Sequence, residues 1–492
     1  MRNSLVFYIN DSPHEIGDHR AGWTLAEYLR NTCHLMATKV VCAEGDCGSC
    51  TVLVGRMQTN CDELVYQPLD SCIVFLFQLD RTHVVTVEGL MHGDQLSPVQ
   101  QAMVDCHGSQ CGFCTPGFVA ALHGLVEQHH AQCNGEATLA DEELRYGLSG
   151  NLCRCTGYSQ ILEAGKSISL AQVPRLAEQF DQRPLLDALR SLPAEPVHLR
   201  CNGTPEEELS EVFLPRQLAE AVRFKTEHPD AKVVAGATDI GVQRNHGKFS
   251  PRVILSLSDL VDFDAITLDE EDHLHIGAGA TWSEVLANVG DRLPEVRQIL
   301  RRFGSPQIRN LATIGGNIVN ASPIADSLPL LYVLDAQLEL IGPSGSRTVA
   351  VDQFYLGYKQ LELAADELLA AIHFALPRND ERLKLYKVSK RRDLDISTAT
   401  AGFWFRLDGD VIASARFAAG GVGPTVVRLP LAEAFVVGKP FDDATLREAG
   451  RVARTEVRPI TDVRSDAAYR AQLVENLFAK AFFELSPELA TV

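Results

Sequence analysis

Cys42-Ala43-Glu44-Gly45-Asp46-Cys47-Gly48-Ser49-Cys50 contains three closely spaced cysteines, and Cys72 follows it downstream. The spacing C-x4-C-x2-C with a distant fourth cysteine is typical of four thiolates that hold a 2Fe–2S cluster. A short loop must direct three sulfurs at one cluster, and glycines at positions 45 and 48 permit backbone turns that a Cβ would hinder. Ordinary core thiols rarely lie so close together beside glycine. The predicted ligands are therefore Cys42, Cys47, Cys50 and Cys72.

A second cysteine set follows in a helical stretch. Cys111-Gly112-Phe113-Cys114 directly precedes a helix start at Thr115-Pro116, and Cys153-Arg154-Cys155 follows a predicted helix from Leu139 to Tyr146. Zinc sites usually combine C-x2-C-like pairs, whereas C-x-C is tighter. The spacing therefore favours iron–sulfur but leaves zinc open. The predicted ligands of this second site are Cys111, Cys114, Cys153 and Cys155.

Strand and helix signals surround the first cysteine loop. Ser4 to Asn10 reads as a strand, and Thr24 with Glu27 forms a capping-box pair that opens a helix. Farther on, Ser97-Pro98-Val99-Gln100 carries an N-cap serine, a first-turn proline and a glutamine that reaches back to the cap. The pattern predicts a small β-grasp domain followed by a helical domain.

Length and charge bound the class of protein. A chain of 492 residues is too long for one ordinary domain. The net charge of −19 gives a surface that repels nucleic acid and anionic membranes. Met1 to Asn10 lacks the pattern of a signal peptide, and no apolar run reaches ~18 residues. We therefore expect a cytoplasmic protein that binds neither nucleic acid nor membrane.

The middle of the chain begins with a proline-rich stretch, residues 172–209, which predicts an extended connector. Phe213-Leu214-Pro215 is predicted to open a helix. Lys232 to Ala235 reads as a strand that runs into the small-residue turn Gly236-Ala237-Thr238-Asp239, and Ala312 to Asn317 supplies a second turn with paired glycines. Such turns offer backbone N–H groups to phosphates, so together they predict a dinucleotide site.

The segments CAEGDCGSC, SQCGFCTPG and GNLCRCTGY together resemble the iron–sulfur region of the molybdenum hydroxylases, a family that includes xanthine dehydrogenases, aldehyde oxidases and carbon monoxide dehydrogenases. All eight predicted cysteine ligands match the ligands of the family. The resemblance implies that the second site also holds a 2Fe–2S cluster, in a four-helix domain.

The segments VVAGATDIG and LATIGGNIVNASPIADSLP resemble the FAD domain of the same family, which has the vanillyl-alcohol-oxidase type of flavin fold. Ala237 and Asp239 depart from the commoner Asn and Glu. A cationic stretch from Leu385 to Asp393 falls where family members border the flavin face that NAD approaches. The resemblance implies FAD contacts at Val233, Val234, Ala235, Gly236, Ala237, Thr238, Asp239, Ile240, Phe303, Thr313, Ile314, Gly315, Gly316, Asn317, Asp326, Leu369 and Lys387.

The resemblance covers essentially the whole chain and implies an α+β multidomain protein. The expected domains are a plant-type 2Fe–2S ferredoxin domain of the β-grasp fold at residues 1–90, a helical 2Fe–2S domain at 91–171, a linker at 172–209, an FAD-binding domain at 210–380 and an α+β flavoprotein C-terminal domain at 381–492. Ala418 to Gly423 is expected to form a structural turn in the last of these.

Fusion of the iron–sulfur and flavin parts resembles the small subunit of bacterial xanthine dehydrogenases. The resemblance implies an electron-transfer subunit with no catalytic acid or base of its own. A molybdenum-cofactor large subunit would oxidise hypoxanthine and xanthine to urate, in a heterotetramer with two of each chain, and electrons would pass through both clusters and FAD to NAD. Three alternatives stay open: the same redox subunit of an aldehyde or N-heterocycle hydroxylase, a stand-alone NADH-dependent flavin reductase, and a non-enzymatic zinc protein.

Overall fold

A computed structural model describes residues 1–57, 62–132, 137–201 and 209–486. The chain divides into two compact units, Met1–Val261 with Gly304–Ala312, and Asp262–Phe303 with Thr313–Val492.

The strands, in chain order, are β1 (Leu5–Ile9), β2 (Ser12–Ile16), β3 (Thr51–Met57), β4 (Leu64–Asp70), β5 (His83–Val85), β6 (Val197–Arg200), β7 (Glu211–Leu214), β8 (Lys232–Val234), β9 (Val253–Ser256), β10 (Ile266–Leu268), β11 (His273–Gly277), β12 (Gln337–Gly342), β13 (Gly345–Ala350), β14 (Tyr355–Gly357), β15 (Gln360–Leu361), β16 (Leu368–Ala375), β17 (Glu381–Val388), β18 (Ala399–Asp408), β19 (Val411–Gly420) and β20 (Val427–Arg428).

The α-helices are α1 (Leu25–Asn31), α2 (Pro98–Asp105), α3 (Thr115–Gln132), α4 (Asp141–Gly147), α5 (Ser159–Ser167), α6 (Leu176–Gln179), α7 (Gln182–Ser191), α8 (Leu218–Glu227), α9 (Thr238–Asn245), α10 (Trp282–Val289), α11 (Pro294–Leu300), α12 (Pro306–Arg309), α13 (Ile314–Asn320), α14 (Leu328–Val333), α15 (Val351–Phe354), α16 (Pro430–Val436), α17 (Asp443–Glu456) and α18 (Ala467–Leu485). No helix in the described ranges is long and apolar enough to cross a bilayer.

The first unit begins with a five-stranded sheet in the order β2-β1-β5-β3-β4. β1 pairs with β5 in parallel and with β2 antiparallel. β3 pairs antiparallel with both β4 and β5. Alternate residues of β1 are buried in the core, which is the period expected of a strand with one covered face. The predicted capping box is confirmed: Thr24 Oγ1 accepts the N–H of Glu27, and Glu27 accepts the N–H of Thr24.

A helical region follows this sheet. The capping box of α2 is confirmed, with Ser97 and Gln100 in the predicted roles. α3 packs Phe118, Leu122 and Val126 into a core that it shares with α4 and α5. The predicted helix over 139–146 forms two residues later than expected, as α4.

The prediction of an extended connector at 172–209 is wrong for its described residues. α6 and α7 lie within it, and β6 pairs antiparallel with β7. α7 forms because Leu185, Leu186 and Leu189 share one helix face, which is buried in the core of the helical region. Pro184 sits in the first turn of α7, where its missing N–H has no intrahelical role. Residues 202–208 lie outside the described ranges.

The remainder of the first unit is α12 and a sheet in the order β6-β7-β9-β8, with α8 and α9 between its strands. The strand predicted at Lys232 is confirmed as β8. The prediction that a helix opens at Phe213 is wrong. Phe213 and Leu214 end β7, and α8 begins only at Leu218. Both residues are buried and pair across the sheet, which overrides the helix signal of the following proline.

The second unit contains two sheets of four or more strands, in the orders β10-β11-β16-β12-β13 and β17-β18-β19-β20. α16, α17 and α18 pack on the second sheet around Phe403, Phe417 and Phe478, whose rings contact one another. The turn predicted at Ala418 to Gly423 starts later than expected, because Ala418 to Gly420 complete β19. Gly421 then adopts a positive φ of 76°.

Candidate iron–sulfur and flavin sites

The loop between α1 and β3 brings the four cysteines predicted for the first cluster together. The Cys42 thiol makes hydrogen bonds with the thiols of Cys47 and Cys72, and the Cys50 thiol with that of Cys72. Gly45 and Gly48 adopt φ values of 67° and 66°, the left-handed region in which a side chain is strained. The prediction that these two positions need the backbone freedom of glycine is therefore confirmed.

This first site presents the chemistry that a metal cluster needs. The backbone N–H of Glu44 lies 3.4 Å from Cys42 Sγ and donates to it. Hydrogen bonds from Cys42 and Cys50, together with burial, raise the pKa of Cys72. A buried thiolate requires a compensating cation, so iron must displace the thiol proton when it binds. The four sulfurs therefore fit a cluster and not a set of free thiolates.

Asp70 is the acidic neighbour of this site. Its Oδ1 accepts a hydrogen bond from the Cys50 thiol at 3.6 Å, and burial raises the pKa of its carboxyl to about 7. A raised pKa lowers the average negative charge of this carboxyl beside the thiolates.

The second cysteine set also converges. Cys155 Sγ lies 3.5 Å from Cys111 Sγ, and the Cys114 thiol makes a hydrogen bond with that of Cys153. The N–H and hydroxyl of Thr156 donate to Cys153 Sγ at 3.4 and 3.1 Å. Such hydrogen bonds to the sulfurs tune the potential of an iron–sulfur cluster.

Exposure distinguishes the two cysteine sites. Cys111 and Cys155 are exposed, whereas Cys50 and Cys72 are buried. Burial raises the pKa of Cys114 to about 12, so only part of the second site is shielded. Exposed apolar side chains, Phe113, Leu152 and Tyr158, lie within a few residues of these cysteines in sequence.

The two cysteine loops are in direct contact within the first unit. The N–H of Leu152, next to Cys153, donates to the carbonyl of Cys47 at 2.9 Å. Gly117, in the first turn of α3, lies so close to the ferredoxin loop that a Cβ would stand 2.0 Å from Gly48 O. Nothing in the spacing of the cysteines predicted this contact.

α9 links the predicted pyrophosphate loop to the first cysteine site. Ala237 adopts a left-handed conformation before the helix, and none of the described side chains caps its N-terminus. An uncapped helix start suits an anion such as a pyrophosphate. At the other end of α9, Asn245 Nδ2 donates to the carbonyls of Ala43 and Cys72, each at 2.8 Å.

Gly236 has a packing role in this loop. A Cβ on Gly236 would lie 2.0 Å from the carbonyl oxygen of Leu311, so the glycine permits close approach of two chain segments. Asp239 is exposed and accepts a hydrogen bond from Gln243 at 2.5 Å. Of the other residues predicted in this loop, Val234 is buried, and Val233, Ala235, Thr238 and Ile240 are half-buried.

The other predicted flavin contacts belong to the second unit. Thr313 caps α13 by accepting the N–H of Gly316 at 3.0 Å, and Gly316 is exposed. Gly315 packs against Ala278, where a Cβ would lie 2.6 Å from the alanine carbonyl. Ile314 is buried in the core of this unit. Asn317 Oδ1 accepts a hydrogen bond from a serine hydroxyl at 2.5 Å.

Asp326 and Lys387 meet in a buried ion pair. Lys387 Nζ lies 2.6 Å from Asp326 Oδ2, and Ser397 Oγ donates to Asp326 Oδ1 at 2.5 Å. Phe303 packs its ring edge against Trp282, with centroids 5.2 Å apart. Leu369 lies on β16 and is 5% exposed, so its side chain belongs to the core.

A small apolar cavity lies beside this ion pair in the second unit. Trp282, Ile314, Asp326 and Leu385 are among its lining residues, and its volume is ≈20 Å³. Ligand pockets are larger by more than tenfold, at ~300–1,000 Å³. This cavity is therefore not the place for a flavin ring.

Three functional candidates escaped the sequence reasoning: Asn151, Asn245 and Gln307. Asn151 stands two residues before Cys153, which was a usable signal. Asn245 is far in sequence from Cys72, and Gln307 is far in sequence from Asn151, so no local pattern could have found these contacts.

Four family models match successive parts of the chain. They are a 2Fe–2S iron–sulfur cluster binding domain at residues 7–74, a second [2Fe–2S] binding domain at 86–166, the FAD binding domain in molybdopterin dehydrogenase at 207–377 and the CO dehydrogenase flavoprotein C-terminal domain at 384–485. The four-domain fold class is confirmed. Two 2Fe–2S domains and one FAD domain are thereby supported, and the zinc alternative loses its basis.

Curated relatives of similar sequence include xanthine dehydrogenases. The protein from Drosophila subobscura is 30% identical over 99% of this chain and 39% of its own length. Xanthine dehydrogenase 1 from Arabidopsis thaliana is 28% identical over 98% of this chain and 40% of its own length. The chain therefore spans about two fifths of the curated relatives that it matches.

Solved structures with a similar fold include carbon monoxide dehydrogenases. Reconstituted CO dehydrogenase from Oligotropha carboxidovorans aligns with a TM-score of 0.52 and 28% identity, over 54% of this chain and 94% of that chain. Quinoline 2-oxidoreductase from Pseudomonas putida 86 aligns with a TM-score of 0.52 and 22% identity, over 56% and 96%. The second likeness concerns the fold alone.

Proposed function

We propose that this chain is the electron-transfer subunit of a two-chain xanthine dehydrogenase. Its four domains and its structural likenesses support a place among the iron–sulfur/FAD subunits of the molybdenum hydroxylase family. Electrons enter from a molybdenum-cofactor partner subunit that oxidises hypoxanthine and xanthine to urate. They pass through the two 2Fe–2S clusters to FAD and leave on NAD.

The observation that carries this proposal is the contact between two complete sets of four cysteine thiols. Hydrogen bonds link the thiols within each set, and the Leu152–Cys47 hydrogen bond joins the two loops. A structural role for either set alone would not require that contact. Two redox centres that exchange electrons need to lie close together, and this contact brings the two cysteine loops close.

The residues of the chain have distinct tasks in this function. Bound 2Fe–2S clusters carry single electrons, and bound FAD joins one-electron to two-electron chemistry. The cysteines hold the iron, and Glu44 and Thr156 donate hydrogen bonds to the sulfurs. The start of α9 offers its N–H groups to the pyrophosphate, and Lys387 with Asp326 forms a buried ion pair in the second unit. None of these tasks is acid–base catalysis.

The exposed face of the second cysteine site supports a protein electron donor. Cys111 and Cys155 reach the surface, and Phe113, Leu152 and Tyr158 add exposed apolar area near them in sequence. Apolar and aromatic side chains of this kind are enriched at the centres of protein interfaces. We assign this face to the molybdenum-cofactor subunit, in a heterotetramer with two of each chain.

A basic area of the second unit supports a dinucleotide acceptor. Arg302 Nε donates to the carbonyl of Arg392 at 3.4 Å, so the stretches Arg301-Arg302 and Lys390-Arg391-Arg392 meet. A local excess of positive charge in a chain with net charge −19 attracts an anion. NAD is the acceptor that we propose, and the cytoplasm is the location that supplies it.

The test is to express the chain together with its partner subunit and to compare substrates. The proposal predicts xanthine-dependent reduction of NAD by the complex, and no xanthine oxidation by this chain alone. Full xanthine oxidation by the isolated chain would contradict the two-chain arrangement. A complex that oxidises aldehydes or N-heterocycles but not xanthine would support the alternative hydroxylase, to which the CO dehydrogenase and quinoline oxidoreductase folds are also related.

A further inference from the structure

Two buried amides surround the hydrogen bond that joins the cysteine loops. Leu152 precedes Cys153 and donates to the carbonyl of Cys47, so one hydrogen bond connects a ligand of the second site to a ligand of the first. Asn151, the preceding residue, is 2% exposed. Its Nδ2 donates to the carbonyl of Gly48 at 3.0 Å, directly beside the Leu152–Cys47 bond.

Gln307 completes this arrangement from a distant part of the chain. It lies on α12 and is 1% exposed. Its Nε2 donates to Asn151 Oδ1 at 2.9 Å and to Thr51 Oγ1 at 3.3 Å. Asn151 Nδ2 also approaches Thr51 Oγ1, at 3.4 Å. The three side chains form one buried network between the two cysteine loops.

The segment that carries Gln307 makes contacts with both the ferredoxin sheet and the helical region. Asn310 Nδ2 donates to the carbonyl of Pro68 on β4, at 3.1 Å. The Arg309 guanidinium lies over the ring of Tyr146 on α4, 4.9 Å from its centroid. α12 therefore contacts the ferredoxin sheet and the helical region at the same time, and Gln307 occupies the middle of that contact.

The chemistry of this network is unusual for a packing contact. Buried amides cost free energy unless their hydrogen bonds are made, and apolar side chains would cover the same area without that cost. Asn151 Nδ2, Asn151 Oδ1 and Gln307 Nε2 make their hydrogen bonds, whereas Gln307 Oε1 is buried without a partner among the described residues. Buried bonds of this kind, in return, fix one geometry. The geometry that they fix is the distance and bonding between the two cluster loops.

We propose that Asn151 and Gln307 are positioning residues that hold the Cys47–Leu152 hydrogen bond and thereby set the rate of electron transfer between the two clusters. This inference rests on the electron-transfer function proposed above. The step moves one electron, which oxidises the helical-domain cluster and reduces the ferredoxin-domain cluster. No proton or ligand changes its bond.

The test uses Gln307→Glu in the full chain with its clusters and flavin in place. The change keeps the side-chain shape but removes the N–H donors that reach Asn151 Oδ1 and Thr51 Oγ1. If the Asn151 amide turned to donate to the introduced carboxylate, its oxygen would face the carbonyl of Gly48 instead. Gln472→Glu, the same change at a half-buried position on α18 far from both cysteine loops in sequence, is the matched control.

Two measurements report on positioning. Low-temperature electron paramagnetic resonance of the fully reduced chain measures the magnetic coupling between the clusters. Freeze-quench sampling after rapid reduction measures the delay before the ferredoxin-type signal appears. We expect Gln307→Glu to weaken the coupling and lengthen the delay severalfold, with iron content and the signal of each cluster unchanged. Gln472→Glu should match the parent chain.

The inference fails if Gln307→Glu alters thermal stability but leaves coupling and delay as in the parent, because the network is then structural only. Gln307→Met, which has similar length and no charge, gives the same decision should the carboxylate prevent folding. If the parent chain shows both cluster signals and the Gln307 variants behave like it, this inference alone is overturned. A parent chain that never forms the clusters overturns the proposed function as well.

Discussion

Gly117→Ala is the substitution whose effect the structure predicts most directly. Alanine normally stabilises a helix by up to ~1 kcal/mol relative to glycine. At Gly117, however, the new Cβ would lie 2.0 Å from Gly48 O and 3.0 Å from Ser49 Cα, both backbone atoms. Because approaches below 3.0 Å are not tolerated, the ferredoxin loop must retreat by about 1 Å, and such overpacking costs ~1–3 kcal/mol. The net result is destabilisation.

Gly124→Ala, on the same helix, is the matched control. Its Cβ would approach a terminal methyl of Leu53 at 3.0 Å and Pro68 Cδ at 3.3 Å. A side-chain methyl can move by the few tenths of an ångström required, so the stability should stay within ~1 kcal/mol of the parent. Scanning calorimetry and iron analysis of both variants measure the difference. Gly117→Ala should unfold several degrees lower and lose cluster coupling. Equal unfolding temperatures for the two variants would refute the backbone clash.

Three further predictions concern ligation, charge and pH. Cys153→Ser should remove about half of the iron, as measured by metal analysis, and only the paramagnetic resonance signal of the helical-domain cluster. Equal loss of both cluster signals would contradict the assignment of Cys153 to one cluster alone. Lys387→Met should destabilise the fold by ~3–5 kcal/mol in chemical unfolding, since it leaves the buried Asp326 carboxylate without its cation. A second change, Asp326→Asn, should recover much of this loss, and no recovery would contradict the ion pair. Burial lowers the pKa of His83 from 6.5 to about 4, so its neutral form stabilises the fold above pH 6.5 and that contribution falls as the pH drops towards the folded pKa. Relative to His83→Asn, the parent should lose about 1 kcal/mol of stability between pH 6.5 and about pH 5.5, and a constant difference in urea unfolding would exclude the effect.

Local signals in the sequence predicted the parts of the fold that depend on neighbouring residues. The capping boxes at Thr24 and Ser97 form as predicted, because the partner side chain stands three residues away. Gly45 and Gly48 adopt the left-handed backbone that the cysteine spacing required. The four-domain class followed from the resemblance of the cysteine and glycine segments to the molybdenum hydroxylase family.

Contacts between distant segments could not be predicted in this way. α7 and β6 form in the predicted connector because the apolar face of α7 and the edge of β7 are available to them. Gln307 finds Asn151 across more than a hundred residues of sequence. No periodicity or spacing encodes such a meeting, so the network between the cysteine loops became visible only in the folded chain.

An anaerobic reductive titration of the purified chain, followed by absorption and paramagnetic resonance with metal analysis, tests whether the chain holds two 2Fe–2S clusters and one flavin. We expect about four irons and one flavin per chain, two resolvable 2Fe–2S signals and flavin bleaching in the same titration. Zinc in place of iron, with no flavin, would contradict this expectation.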